Sequence, residues 1–86
     1  MGIEFYVEED GSRQRCQLEI SEPESSEEGD NFCRVRLLPL LKNEKRIMGF
    51  DESQAKQLAI DFVKNLLRGK ELTDAAGKKI DLSDIT

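Results

Sequence analysis

Histidine is missing from all 86 residues of the chain. That omission removes the commonest general base, the commonest metal ligand and the usual switch near neutral pH. Cysteine is scarce as well, with Cys16 and Cys33 the two present. Two thiols do not build a disulfide framework, and a structural zinc site wants four ligands. No apolar run approaches the roughly 20 residues that span a bilayer. Met1-Gly2-Ile3-Glu4-Phe5 passes straight into strand-like alternation, without the basic and apolar stretches of a secretory signal. Gly2 makes no myristoylation signal either, because position six is Tyr6 and not Ser or Thr. Together these omissions point to a cytoplasmic protein.

Positive charge is also in short supply. Lysine and arginine number 13 against 18 acidic residues, a net charge of −5 with a pI near 4.7. Such a balance argues against broad nucleic-acid affinity, which needs a concentrated cationic surface. It suits solubility, or a basic partner approached through long-range attraction. The residues are 37% hydrophobic, enough for one modest core, so residues 1–86 read as a single domain. A chain this short stands near the lower limit of self-sufficiency, which makes a partner subunit plausible.

The pattern along the chain predicts mostly strand. Ile3, Phe5 and Val7 alternate with Glu4, Tyr6 and Glu8, and Cys16, Leu18 and Ile20 alternate with Arg15, Gln17 and Glu19. Asp10-Gly11 between them is a strong hairpin signal. From 21 to 31, Glu22, Glu24, Glu27, Glu28 and Asp30 crowd together with Pro23 and Gly29. Like charges repel and none of them can be buried, which predicts a mobile acidic loop. Cys33, Val35 and Leu37 make a third strand, alternating with Arg34 and Arg36. Paired antiparallel across that loop, the second and third strands bring Cys16 nearly opposite Cys33, within reach of a disulfide. A reducing compartment favours two free thiols instead. Pro39, in Leu37-Leu38-Pro39-Leu40-Leu41, cannot donate to a ladder, so this end is expected at an edge or bulge. Residues 46–50 form a short fourth strand.

Asp51 is a good helix N-cap, and Gln54 completes a capping-box pattern. Ala55, Leu58, Ala59, Phe62, Val63, Leu66 and Leu67 then recur as one apolar stripe, and Gly69 ends the helix. Residues 72–80 resemble a small hairpin with Gly77 in the left-handed position, and 81–86 a loose tail. The expected architecture is a two-layer α+β fold: an antiparallel sheet of about four strands, one amphipathic helix packed across it, and a short C-terminal hairpin.

No catalytic, metal or cofactor site emerges from these residues. Cys16 and Cys33 sit at inward strand positions, where thiols are inert. Gly69-Lys70 and Gly77-Lys78 lack the earlier glycine and the following Ser or Thr of a phosphate-binding loop. The acidic stretch lacks the regular spacing of a calcium loop. Four leucines within Leu37–Leu41 cannot all face one core, so an apolar edge at Leu38, Leu40 and Leu41 is a candidate partner interface unless the C-terminal hairpin covers it. Glu24, Glu27 and Glu28 would steer a basic partner towards it. Tyr6, Arg13, Arg15, Arg34 and Arg36 form an alternative, a platform for single-stranded nucleic acid. Glu4, Glu8, Gln17 and Glu19 share that face and counter its charge.

From Cys33-Arg34-Val35-Arg36-Leu37 through Gly49-Phe50-Asp51-Glu52-Ser53-Gln54-Ala55 to Ala59, the chain resembles a family of short uncharacterised bacterial domains. In these, an antiparallel sheet ends in glycine and an aromatic residue or valine, then feeds an Asp-Ser-x-Gln-Ala helix start. The resemblance implies a structural motif and not a chemistry. By size and charge such families resemble immunity or antitoxin-type proteins. The functional expectation is a non-enzymatic bacterial module that binds a basic protein, of the immunity or inhibitor type, with no cofactor and no membrane. A homodimeric scaffold and the nucleic-acid platform are the alternatives.

Overall fold

Asp10 and Gly11 set the first turn, with φ of 49° and 78°. Two consecutive positive φ values make the tight turn whose twist suits a hairpin, and glycine adopts one of them without strain. It joins β1 (Gly2–Glu9) to β2 (Ser12–Ile20) in register from Gly2 opposite Glu19 to Glu9 opposite Ser12. The structure, a computed structural model, describes residues 2–81 and residue 83; most of the expected tail lies outside them.

The acidic stretch departs from expectation. Glu24–Ser25 forms a short strand, β3, paired with the start of β4 (Asn31–Leu38). Ser26 N–H donates to the Asp30 carbonyl at 2.8 Å and closes the turn. A ladder therefore runs through much of the segment read as a loop. Its carboxylates need no burial: they extend outward from an exposed arm, and Glu24 meets Arg34. Between Ile20, opposite Val35, and Glu24, opposite Phe32, four steps on one strand face three on the other. That extra residue is a bulge, and it accommodates Pro23 without a missing ladder bond. Here the Arg34 N–H donates to Ser21 Oγ at 2.8 Å.

The bulge and turn also separate the thiols. Leu18 pairs with Leu37, so position 16 falls level with position 39, well away from 33. At about 3.3 Å per residue the two cysteines stand roughly 20 Å apart along the ladder. Both are free and buried, and no disulfide is within reach.

β5 (Lys45–Gly49) pairs with the other side of β4 at residues 31–35. Beyond that pairing, the β4 end that leads to Pro39 has one open side, as expected. The C-terminal hairpin, β6 (Glu71–Thr73) and β7 (Lys79–Ile80), pairs with β1. Gly77 takes its left-handed place in the turn at φ 86°. The hairpin thus extends the sheet at the side away from Leu37–Leu41 and does not cover them; of the four leucines, Leu38 alone is exposed. One antiparallel sheet results, ordered β5, β4, β2 with its continuation β3, β1, β6, β7. Its seven strands among the described residues exceed the expected four or so because β3 forms and the terminal hairpin joins the same sheet.

Helix α1 (Glu52–Leu67) lies against β4 and β5. Asp51 Oδ1 accepts the Gln54 N–H at 2.7 Å, and Gln54 Oε1 accepts the Phe50 N–H at 2.6 Å. The capping box forms, with its return bond one residue earlier than the cap. Ala55, Ala59, Val63 and Leu67 are buried and meet Phe5, Val7, Cys16, Leu18, Ile20, Cys33, Val35 and Leu37 from the sheet. Phe62 and Leu66 pack at the margin of this core, as does Ile60. Leu58, expected inward, is 40% exposed. Gly49 explains the rotation: a Cβ there would lie 2.4 Å from the Ala55 nitrogen. The strand end and the first helical turn touch backbone to backbone, which pins the Ala55 face inward. No helix among the described residues is long and apolar enough to cross a membrane.

Candidate functional site

The outward sheet face carries Tyr6, Arg13, Arg15, Arg34 and Arg36 together, as the alternation requires. The structure also gives each cation a partner. Arg15 is paired with Glu4, whose hydrogen bond and charge push the guanidinium pKa further upward. Arg34 Nε lies 2.6 Å from Glu24 Oε2, and Arg36 faces Glu19 at 4.0 Å. Arg13 stacks on the Tyr6 ring, 4.0 Å from its centroid, and donates to the Asp74 carbonyl. A nucleobase would therefore have to displace a guanidinium to reach the one tyrosine. Beside this face, a groove of about 390 Å³ includes Arg34 and Arg36 but also Glu19 and Glu44. It is a surface of matched charges.

The leucine edge and the acidic residues are not one site. Leu38 is 40% exposed, while Leu40 and Leu41 pack partly against the core. These lie past the far end of β4, whereas Glu27 and Glu28 lie at the turn before its start. The length of β4 alone separates them by roughly 23 Å. Glu24, engaged with Arg34, belongs to the sheet face.

What the fold does bring beside the acidic turn was not visible in the sequence. Met48 is 47% exposed and Phe50 93% exposed, and with Leu58 they line a shallow groove of about 320 Å³ that Asp30 closes on one side. The backbone of Phe50 is held from both directions. Its N–H donates to Gln54, and its carbonyl accepts from Asn31 Nδ2 at 3.2 Å. An aromatic residue just before an N-cap commonly packs back onto the helix; here the side chain stands in solvent. The available signal was positional: Phe50 follows the last inward strand residue and precedes the cap, so neither periodicity claims it.

Toward chemistry, the two thiols offer little. Burial is the first cause that pushes both above their ordinary value of 9.0, with Lys70 near Cys16 and Lys56 near Cys33 offsetting part of it. A protonated thiol is a poor nucleophile. Among the described residues, no three acidic or cysteine side chains are grouped to hold a metal ion.

No family model, curated protein or solved structure matches this chain.

Proposed function

We propose that this chain is a non-enzymatic protein-binding module for a basic partner, of the immunity or inhibitor type. One observation carries the reading: a group of carboxylates without ion-pair partners stands at one turn, beside an exposed apolar groove. Glu27, Glu28 and Asp30 occupy the β3–β4 turn with no cation against them among the described residues, while Arg15, Arg34 and Arg36 of the sheet are each paired with a glutamate. On a chain of net charge −5, that turn is the natural landing point for a positive surface. Exposed carboxylates of this kind accelerate encounter more than they tighten the final complex. Affinity must then come from apolar contact nearby.

The test is capture from lysate of the source cells with the tagged chain. A stoichiometric basic protein is expected, released by raised salt because exposed charges are screened beyond about 10 Å at 0.1 M. Reversing the charge at Glu27 and Glu28 to lysine should slow association with that protein roughly tenfold or more. Failure to recover any stoichiometric protein would remove the proposal.

A further inference from the structure

Among the described residues Phe50 is the most exposed large apolar side chain, and its backbone is hydrogen-bonded at both its N–H and its carbonyl. That combination is unusual. An exposed phenylalanine on a loose loop would be free to fold back, whereas this one is fixed at both its N–H and its carbonyl. A side chain held ready on rigid backbone loses little freedom when a partner covers it. Met48 and Leu58 flank it from the edge strand and the helix, so one partner side chain can touch all three across the groove. On the rim, Asp30 lines the groove directly, and Glu27 and Glu28 follow on the same turn.

Building on the basic-partner reading, we infer that the Met48–Phe50–Leu58 groove is the docking site for a short amphipathic segment of another protein. That segment inserts an apolar side chain beside Phe50 and lays lysine or arginine over the Asp30 turn. Charge selects this occupant over a second copy of the chain. An isologous dimer through the groove would place two acidic turns side by side, and the residues that line the groove include no cation. It also selects against the leucine corner near Leu38, where Arg36 and Lys42 outnumber Glu44.

The experiment is an amide-resolved NMR titration with a short synthetic amphipathic Lys/Leu peptide, beside a Lys/Ser peptide of equal charge and a Glu/Leu peptide of equal apolarity. The Lys/Leu peptide should shift the amides of Asp30, Gly49, Phe50, Gln54 and Leu58. Lys/Ser should touch the acidic turn alone and more weakly, and Glu/Leu should leave the spectrum unchanged. Phe50→Ser should keep the dispersed spectrum and unfolding midpoint, and lower Lys/Leu affinity by roughly tenfold or more. Leu58→Ser provides a second, independent reduction. Shifts centred on Leu38 or on the arginine face, equal binding of Lys/Ser, or unchanged affinity of Phe50→Ser would each overturn the inference. So would concentration-dependent broadening at Phe50 without peptide, the mark of self-association. Capture of one basic protein by wild type and Phe50→Ser alike would remove the groove and keep the broader function. Peptide binding at Phe50 with no stoichiometric partner in lysate would remove the broader function and keep the groove.

Discussion

Substituting Gly49 by alanine tests how the helix is mounted on the sheet. The added Cβ would stand 2.4 Å from the Ala55 nitrogen, 2.7 Å from its Cα and 3.0 Å from the Gln54 carbonyl carbon. Carbon contacts relax at about 3.5 Å or more, so the first helical turn must retreat by about 1 Å. All three obstacles are backbone atoms, and no rotamer change relieves them. The retreat stretches the Phe50–Gln54 bond, now 2.6 Å, beyond hydrogen-bond length and loosens the cap on Asp51. Loss of these bonds costs about 1 kcal/mol each, and the forced packing about 1 kcal/mol more. Alanine's stiffer unfolded chain returns about 0.5 kcal/mol. The net destabilisation is about 2–3 kcal/mol, which in a domain of this size lowers Tm by roughly 10–20 °C. Thermal unfolding followed by circular dichroism reads this directly. Gly2→Ala is the control, since the nearest atom to its new Cβ lies at 3.8 Å. A Gly49→Ala protein that melts within about 2 °C of the parent would refute the argument that backbone contact seats the helix.

Three other variants probe separate parts of the fold. Asp51→Ala removes the acceptor for the Gln54 N–H and should cost about 1 kcal/mol in urea unfolding; no change would mean that solvent caps the helix equally well. The Thr73 hydroxyl is buried without a hydrogen-bond partner, so Thr73→Val should be neutral or stabilise by up to about 1 kcal/mol, and a clear loss would reveal a bond to that oxygen. Native Cys16 and Cys33 should react slowly with a thiol reagent at pH 7, and rapidly once the chain is unfolded in urea. Since burial raises both thiols above 9.0, the folded chain holds these protons longer than the unfolded chain. Their contribution is complete below pH 9.0 and is lost as pH rises above it. A Cys16→Ala/Cys33→Ala double variant should therefore lose less stability than the parent between neutral pH and alkaline pH, and parallel profiles would contradict the assignment.

Local signals in the sequence carried through wherever a residue's own conformational preference decides the outcome. Asp10-Gly11 specifies a two-residue turn, Asp51 with Gln54 specifies a helix start, and Gly77 closes a hairpin, because each depends on atoms only a few positions away. Register across the acidic stretch was not readable in that way. It depends on where the Ser26–Asp30 turn closes, and charge repulsion says nothing about this once the side chains point into water. The shift of that turn moved Cys16 away from Cys33. Helix rotation was similarly hidden. Seven apolar positions define a broad stripe, and contact between Gly49 and Ala55 chooses which of them face inward. The candidate site follows from both: Phe50 and Leu58 remain outside because the helix is pinned, and the acidic turn stands beside them because the hairpin is longer than it reads.

The surplus residue near Pro23 has a further effect on the design of the hairpin. Ser21 stands opposite Arg34 and Glu24 opposite Phe32, so Glu22 and Pro23 share the place opposite Cys33. Glu22 stays exposed at the margin on the helix side, within 3.6 Å of Lys56, and its charge is felt at the Cys33 thiol. An oily strand can in this way be continued by a negatively charged arm without drawing charge into the interior, and the junction is tied to the opposite layer as well. Shortening the chain there by one amino acid would remove the slack that lets this carboxylate reach the helix.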